Sequence, residues 1–314
     1  MSIRPEQIRV AVLKGGRSAE REVSLNTGAQ VTAALSESGF DVVEIDTGDD
    51  EFVVELVRSE ADVAFICLHG RLGEDGTVQG LCELIELPYV GSGVLASALA
   101  MDKVMSKQFY SLAGIPTPEY VVLHRGGDFD TTQITAALGE KTVVKPANEG
   151  SAIGVTIAHD PIELPAAIGI AFKHDRSVLV EKFVPGVEVT VGVLGNEHPL
   201  PLPTLEIVPD HEFYDYDSKY LPGMSRHIIP ARVSESARQE CERLSVAAHV
   251  ALGCRGMSRS DLIVTDDDQV YLLETNTIPG MTKTSLLPDA ARAAGIEFPG
   301  LCLRLIELAL APHR

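Results

Sequence analysis

The alternation of apolar and polar stretches is most informative late in the chain. Residues 262–264 (LIV) and 270–273 (VYLL) are two β-prone runs separated by Asp266, Asp267 and Asp268, and an aspartate cluster between such runs predicts a tight turn and an antiparallel hairpin. A loop of two or three residues, pairing 265 or 266 with 269, places Asp261 opposite Glu274 or one residue from it. Side chains two apart share a strand face, so Arg259 falls on the Asp261 side and Asn276 on the Glu274 side.

Earlier in the chain, residues 8–13 read as a buried strand, followed by a turn at Gly15 and Gly16 and a helical pattern to about residue 38. Strands at 41–45 and 63–68 alternate with helical stretches near 51–59 and 77–87, the order of a parallel α/β sheet, whose ligands sit beyond the carboxyl ends of the strands. Glu20 and His69 both follow strand ends. A glycine turn alone is a weak signal, and a lone histidine is more often a satisfied structural residue.

A boundary is expected at Gly91, Ser92 and Gly93, then a helix carrying Met101, Asp102 and Lys103, then a break at 114–118 (GIPTP). Strand 142–145 enters the loop 146–154 (PANEGSAIG) and strand 155–158 leaves it. Such a loop can present N–H groups and hydroxyls to phosphate oxygens, with Lys145 adding charge; it also fits an ordinary hairpin loop. Strand 178–183 contains Glu181 and Lys182, and the alternation over 187–193 turns Glu188 away from the valine face. Residues 209–230 form a long irregular segment containing Lys219 and Tyr220, expected to be a functional lid because its aromatics argue against simple disorder. Ser236 and Gln239 fit a capping box for a helix running to Gly253, and 299–310 reads as a C-terminal helix; both are structural.

Composition narrows the partners. With 45 acidic against 26 basic residues the net charge is −19, which argues against nucleic acid or an anionic membrane as partner. The five cysteines are scattered without metal or disulfide spacing, which favours a reducing compartment. No signal peptide is evident, and the longest uncharged run, 87–101, is too short to cross a bilayer. Against that background the hairpin gains interest. Two carboxylates and an amide oxygen, from Asp261, Glu274 and Asn276, suit Mg2+, a hard cation that also binds substrate phosphates. An acidic hairpin alone also fits a solvated surface, and Asp266 to Asp268 are read that way; position at the mouth of apolar strands, followed by 276–282 (NTIPGMT), favours a site.

The blocks 15–28 (GGRSAEREVSLNTG), 68–103, 143–155 (VVKPANEGSAIGV), 181–191 (EKFVPGVEVTV), 213–220 (FYDYDSKY), 253–264 (GCRGMSRSDLIV) and 272–282 (LLETNTIPGMT) occur in an order that closely resembles the D-alanine:D-alanine ligases of the ATP-grasp superfamily. The resemblance spans nearly the whole chain. It implies a three-domain α/β ATP-grasp fold: an N-terminal parallel α/β domain (1–97), a central subdomain (98–184), and a C-terminal catalytic domain (185–314) with the lid at 209–230. The last two would be α+β domains that sandwich ATP. It also implies a cytoplasmic homodimer that joins two D-alanines through an acyl phosphate, for peptidoglycan synthesis.

The matching blocks imply the roles. Lys103, Lys145, Glu149, Ser151 and Lys219 would meet ATP, Glu181, Lys182, Phe183 and Val184 the adenine, and Glu188 the ribose. Asp261, Glu274 and Asn276 would hold two Mg2+ ions, with Mn2+ as an alternative. Glu20 would bind the ammonium of the first D-alanine and Ser285 the carboxylate of the second, with His69, Lys219 and Leu286 also contacting substrate. Arg259 and the Gly280 N–H would stabilise the oxyanion, and Glu20, Ser151 and Tyr220 would link the domains. Tyr220 resembles the dipeptide-forming type rather than the D-lactate-using type. Ala147, Asn148 and Ala152 stand where Ser, Arg and a second Ser are common, Ser260 where an aliphatic residue is, and Lys283 and Thr284 precede Ser285.

Overall fold

The computed structural model describes residues 3–209 and 225–311. Among them the strands form three sheets. The first is built by β1 (Arg9–Lys14), α1 (Arg21–Glu37), β2 (Asp41–Asp46), α2 (Phe52–Arg58), β3 (Val63–Ile66), α3 (Thr77–Leu84) and β4 (Tyr89–Val90), with parallel order β2-β1-β3-β4. Its central strands are apolar on both sides because both faces are covered. Val10, Val12, Val63 and Phe65 pack against α1 and the C-terminal helix, and Ala11, Leu13, Ala64 and Ile66 against Leu56 of α2 and Val78 and Cys82 of α3.

Next come α4 (Val94–Met101) and α5 (Lys103–Leu112). The single helix expected around residue 102 is therefore two. Asp102 leaves the helical conformation and its carboxylate accepts from the N–H groups of Val104 and Met105, so a side chain suited to capping wins over the apolar periodicity. The second sheet comprises β5 (Tyr120–His124), α6 (Thr131–Leu138), β6 (Thr142–Pro146), β7 (Thr156–Ala158), α7 (Leu164–His174) and β8 (Ser177–Lys182), with antiparallel order β5-β8-β6-β7.

The third sheet has β9 (Val187–Leu194), β10 (Leu200–Pro201), β11 (Leu205–Pro209), β12 (Ser225–Ile228), β13 (Met257–Val264) and β14 (Val270–Asn276), ordered β12-β11-β9-β13-β14 with β10 on β9. The irregular segment expected at 209–230 thus ends in paired strand, since β11 and β12 are antiparallel neighbours. The helix α8 (Glu235–Ala251) is capped by Ser234, whose hydroxyl accepts from the Ala237 N–H, so the expected capping box at Ser236 and Gln239 sits one half-turn too late. After β14, α9 (Leu286–Ala293) leads into α10 (Phe298–Leu310). The last helix returns to the first sheet, burying Leu301, Leu305 and Ile306 against its apolar face.

One local device shapes the entry to the site. At the end of β2, the Asp46 carboxylate accepts from the Arg21 guanidinium at 2.6 Å and from the N–H groups of Gly48 at 2.8 Å and Gly16 at 3.2 Å. Gly15 has φ of +75°, and a Cβ there would lie 2.2 Å from Asp46 Oδ1, so the turn leading to Glu20 admits only glycine. The Arg21 side chain first, and then the Gly48 and Gly16 N–H groups, hold the Asp46 carboxyl at about 2, below its usual 3.8. A depressed carboxylate stabilises the fold above its unfolded pKa, and the contribution fades as pH falls through the folded one. Asp46→Asn should therefore unfold at lower denaturant than the parent at pH 6, with the gap closing as pH approaches 2. Equal midpoints at pH 6 would remove Asp46 from this role.

Candidate active site

The hairpin of β13 and β14 pairs Arg259 with Asn276, Ser260 with Thr275, and Asp261 with Glu274. Near the turn the register differs by one residue, because a bulge lies between Asp261 and Leu262. The turn pairs Val264 with Val270, and the Thr265 N–H donates to the Gln269 carbonyl at 2.9 Å. Continued without interruption, that register would set Leu273 opposite Asp261. The bulge restores Glu274 to that place and so brings Arg259, Asp261, Glu274 and Asn276 onto one face.

Within this patch Arg259 grips Asp261 with two N–H groups, Nε to Oδ1 at 3.0 Å and Nη2 to Oδ2 at 2.8 Å. Thr190 on β9 donates to Asp261 Oδ1 at 2.7 Å. Glu274 faces Lys103, with Nζ to Oε2 at 3.7 Å, and Asn276 Oδ1 accepts from the Ile278 N–H at 2.8 Å. A carboxylate has about four acceptor positions and an amide oxygen two, so Asp261 and Asn276 keep acceptor capacity beyond the contacts named. Three hard oxygens, from Asp261, Glu274 and Asn276, fit a small divalent cation. Among the described residues no group of three or more His, Cys, Asp or Glu is placed to hold a metal; the set here has two carboxylates and completes itself with an amide.

A cavity of about 470 Å3 opens beside the patch. Glu274, Asn276, Arg259, Gly280, Ser285 and Leu286 line it from the third sheet and its following loop. Glu20 and His69 enter from the first sheet, and Lys103, Glu149 and Ser151 from the helix and loop of the second. Elements far apart in sequence are joined here directly: the Ser151 hydroxyl donates to Glu20 Oε1, and Lys103 Nζ donates to the Glu149 carbonyl at 2.6 Å. His69 is buried, with Nε2 3.2 Å from Thr27 Oγ1 and Nδ1 3.7 Å from Glu74. Ser151 and Ala152 have φ of +49° and +58°, a conformation that non-glycine residues keep only when their surroundings impose it. Beside Ser285, a Cβ on Gly280 would come within 2.9 Å of its Oγ; Thr282 Oγ1 lies 2.7 Å from the same hydroxyl.

The other expected nucleotide residues do not line this cavity. Lys145 and Glu181 pair at 2.7 Å, on neighbouring strands β6 and β8. Past them, Lys182 is exposed and pairs with Glu119 at 3.3 Å. The Phe183 ring lies 3.8 Å beneath Lys141 Nζ, Val184 is half-buried, and Glu188 on β9 sits opposite Ile263. Asp261 lies behind the cavity wall, 5% exposed. Lys219 and Tyr220, and the core of the proposed lid, lie outside the described residues.

Reasoning from sequence missed Lys107. Its side chain is 1% exposed, and its Nζ lies 3.1 Å from Glu181 Oε1 and donates to Thr117 Oγ1. Glu181 is thus clasped by two ammonium groups. Burial alone would raise the Glu181 pKa, but Lys145 and Lys107 overcome it and hold the carboxylate below its ordinary value. Burial depresses Lys107, whereas Glu181 outweighs burial at Lys145 and raises it. The one available signal was spacing: Lys107 follows Lys103 by four residues, on the same helix face. Thr190 and the partners of His69 left no signal. Removing a buried charge's partner costs about 3–5 kcal/mol, so Glu181→Gln, which strands two ammonium groups, should destabilise by about that amount. Lys107→Met should cost less, since Glu181 keeps Lys145. Denaturant midpoints test the order, and a Lys107→Met loss equal to or larger than that of Glu181→Gln would refute the shared-carboxylate account.

Comparison with known proteins accounts for the arrangement. Residues 109–307 match the family model described as D-ala D-ala ligase C-terminus, and 47–92 the one described as D-ala D-ala ligase N-terminus. The chain is 50% identical to a D-alanine–D-alanine ligase of Desulforamulus reducens over 310 residues, covering 96% of this chain and 99% of that one. It is 49% identical to the D-alanine–D-alanine ligase of Syntrophobacter fumaroxidans, covering 97% and 98%. In structure it is similar to the Bacillus anthracis D-alanine–D-alanine ligase complexed with ATP, with a TM-score of 0.85, 33% identity, and coverage of 96% and 97%. A D-Ala:D-Ser ligase from Enterococcus faecalis also superimposes, at a TM-score of 0.82, 32% identity and coverage of 96% and 99%.

Proposed function

The chain belongs to the D-alanine–D-alanine ligase family, of ATP-grasp fold, and from that premise we propose how its residues divide the work of joining two D-alanines at the expense of ATP for cell-wall synthesis. The observation that carries the division is the single cavity in which Glu20 and Ser151 meet Arg259, Glu274 and Gly280.

A carboxylate is a poor electrophile, so the donor D-alanine is first phosphorylated by ATP; the amine of the acceptor then attacks the acyl carbon, forming the C–N bond as the C–O bond to phosphate breaks. Phosphoryl transfer is chiefly positioning and charge neutralisation. Lys103 and Lys145 meet the phosphates, and their carboxylate partners Glu274 and Glu181 hold them in place. Asp261, Glu274 and Asn276 would hold two Mg2+ ions, which would supply positive charge to the phosphates. Arg259, braced by Asp261, and the Gly280 N–H receive the oxyanion that develops at the acyl carbon, as preorganised donors do. Glu20, steadied by Ser151, takes the donor ammonium, and Ser285 takes the acceptor carboxylate. Excluding water from the cavity protects the acyl phosphate from hydrolysis. The adenine lies along 181–184 and the ribose at Glu188. The family resemblance further supports a homodimer in the cytoplasm.

The test is ATP consumption with D-alanine and Mg2+, resolving ADP, phosphate and dipeptide, with D-serine, D-lactate and L-alanine as alternatives. D-alanine should give ADP, phosphate and D-alanyl-D-alanine in equal amounts. Losing Glu274 removes a metal contact, so Glu274→Gln should lower kcat by at least about 100-fold. Unchanged turnover in that variant, or preferred use of D-lactate by the parent, would sink the assignment.

A further inference from the structure

A histidine is among the titratable side chains in the cavity wall that have no place in the division of work above. His227, on β12, lines the cavity beside Ser285 and Leu286. Its Nδ1 lies 2.6 Å from Asp289 Oδ2, with side-chain exposures of 19% and 18%. Asp289 belongs to the first turn of α9, the helix that Ser285 precedes and Leu286 begins. Its other oxygen, Oδ1, is held by Arg292, so the carboxylate cannot swing away from the ring. The wall behind is also fixed, because Leu286 packs with Leu205 and Ile207 of β11 and with Ile229 just past β12.

With Nδ1 committed to Asp289, Nε2 is the ring nitrogen left to meet a ligand, and a carboxylate partner of this kind fixes how an imidazole is oriented. The chemistry at that end of the cavity suits an anion: Ser285 lines it and stands at the N-cap of α9, where the first N–H groups of a helix have no partner within the helix. As an imidazolium the ring donates from both nitrogens, one to Asp289 and one to an anion.

We infer that His227, oriented by Asp289, donates from Nε2 to the carboxylate of the acceptor amino acid and sets the enzyme's affinity for it. The inference rests on the ligase reading and on Ser285 facing the same carboxylate. It adds a side-chain donor beside Ser285, in a chain whose net charge of −19 disfavours anions.

The test compares His227→Asn with His227→Gln in the full chain. An asparagine amide reaches about as far as Nδ1 and keeps the Asp289 contact, whereas a glutamine amide reaches about as far as Nε2. ADP release at saturating ATP, measured over a wide range of D-alanine, separates the donor and acceptor KM values. His227→Asn should raise the acceptor KM by about tenfold or more, the size expected for a lost charge-assisted hydrogen bond. The donor KM and the KM for ATP should move by less than about twofold. His227→Gln should recover most of the loss. A ring serving only the Asp289 contact predicts the reverse order, Asn harmless and Gln harmful, and that result would overturn the inference. So would an unchanged acceptor KM in both variants, or an equal fall in every parameter. If His227→Asn does not fold, a normal acceptor KM in Asp289→Asn, which releases the ring, overturns it equally. A parent that releases no ADP with D-alanine defeats the ligase reading itself, which a parent that turns over with insensitive variants does not.

Discussion

A protein of net charge −19 that handles a polyphosphate must keep its few cations where they are wanted, and the whole site depends on how that is done. Among the described residues, Lys145, Lys107, Lys103 and Arg259 are each paired with a carboxylate. Lys145 and Lys107 share Glu181, Lys103 faces Glu274, and Arg259 is braced by Asp261. An unanchored ammonium on a flexible four-carbon stem would lose rotamer freedom on every binding event. Held in advance, it does not. At Glu181 the pairing outweighs burial, and Lys145 and Lys107 hold the carboxyl below its ordinary value.

Backbone geometry supplies what charge cannot. The bulge after Asp261 converts a turn register that would misplace Glu274 into one that aligns it, and Thr190 from β9 fixes the rear of the patch. The left-handed residues Ser151 and Ala152 bend the second sheet's loop until Ser151 reaches Glu20 on the first. These contacts make three sheets into one site without requiring any of them to contribute more than a few side chains.

Much of this was legible in the chain, for identifiable reasons. The hairpin followed from two β-prone runs about an aspartate turn, and period two placed Arg259 with Asp261 and Glu274 with Asn276. Even so, whether Asp261 would stand opposite Glu274 or one residue away was left open, because a bulge is a local irregularity that no alternation of apolar residues encodes. The parallel order of the first sheet followed from alternating strands and helices. What escaped were features of tertiary contact. Lys107 is a charged residue buried against expectation because Glu181 lies across from it. Asp102 interrupts a helical pattern that reads as continuous. His227 and Asp289 are 62 residues apart and meet only in space.

The return of α10 to the first sheet bears on how the protein is made. Val10, Val12, Val63 and Phe65 lie on early strands, yet Leu301, Leu305 and Ile306, which share in their cover, are synthesised long after them. One face of the first sheet therefore stays partly open until α10 has been made, and the early strands wait for it. Exposed apolar surface of this kind is what chaperones engage and what nascent chains aggregate through. A product cut short before α10 would carry Asp261, Glu274 and Asn276 but leave this core uncovered.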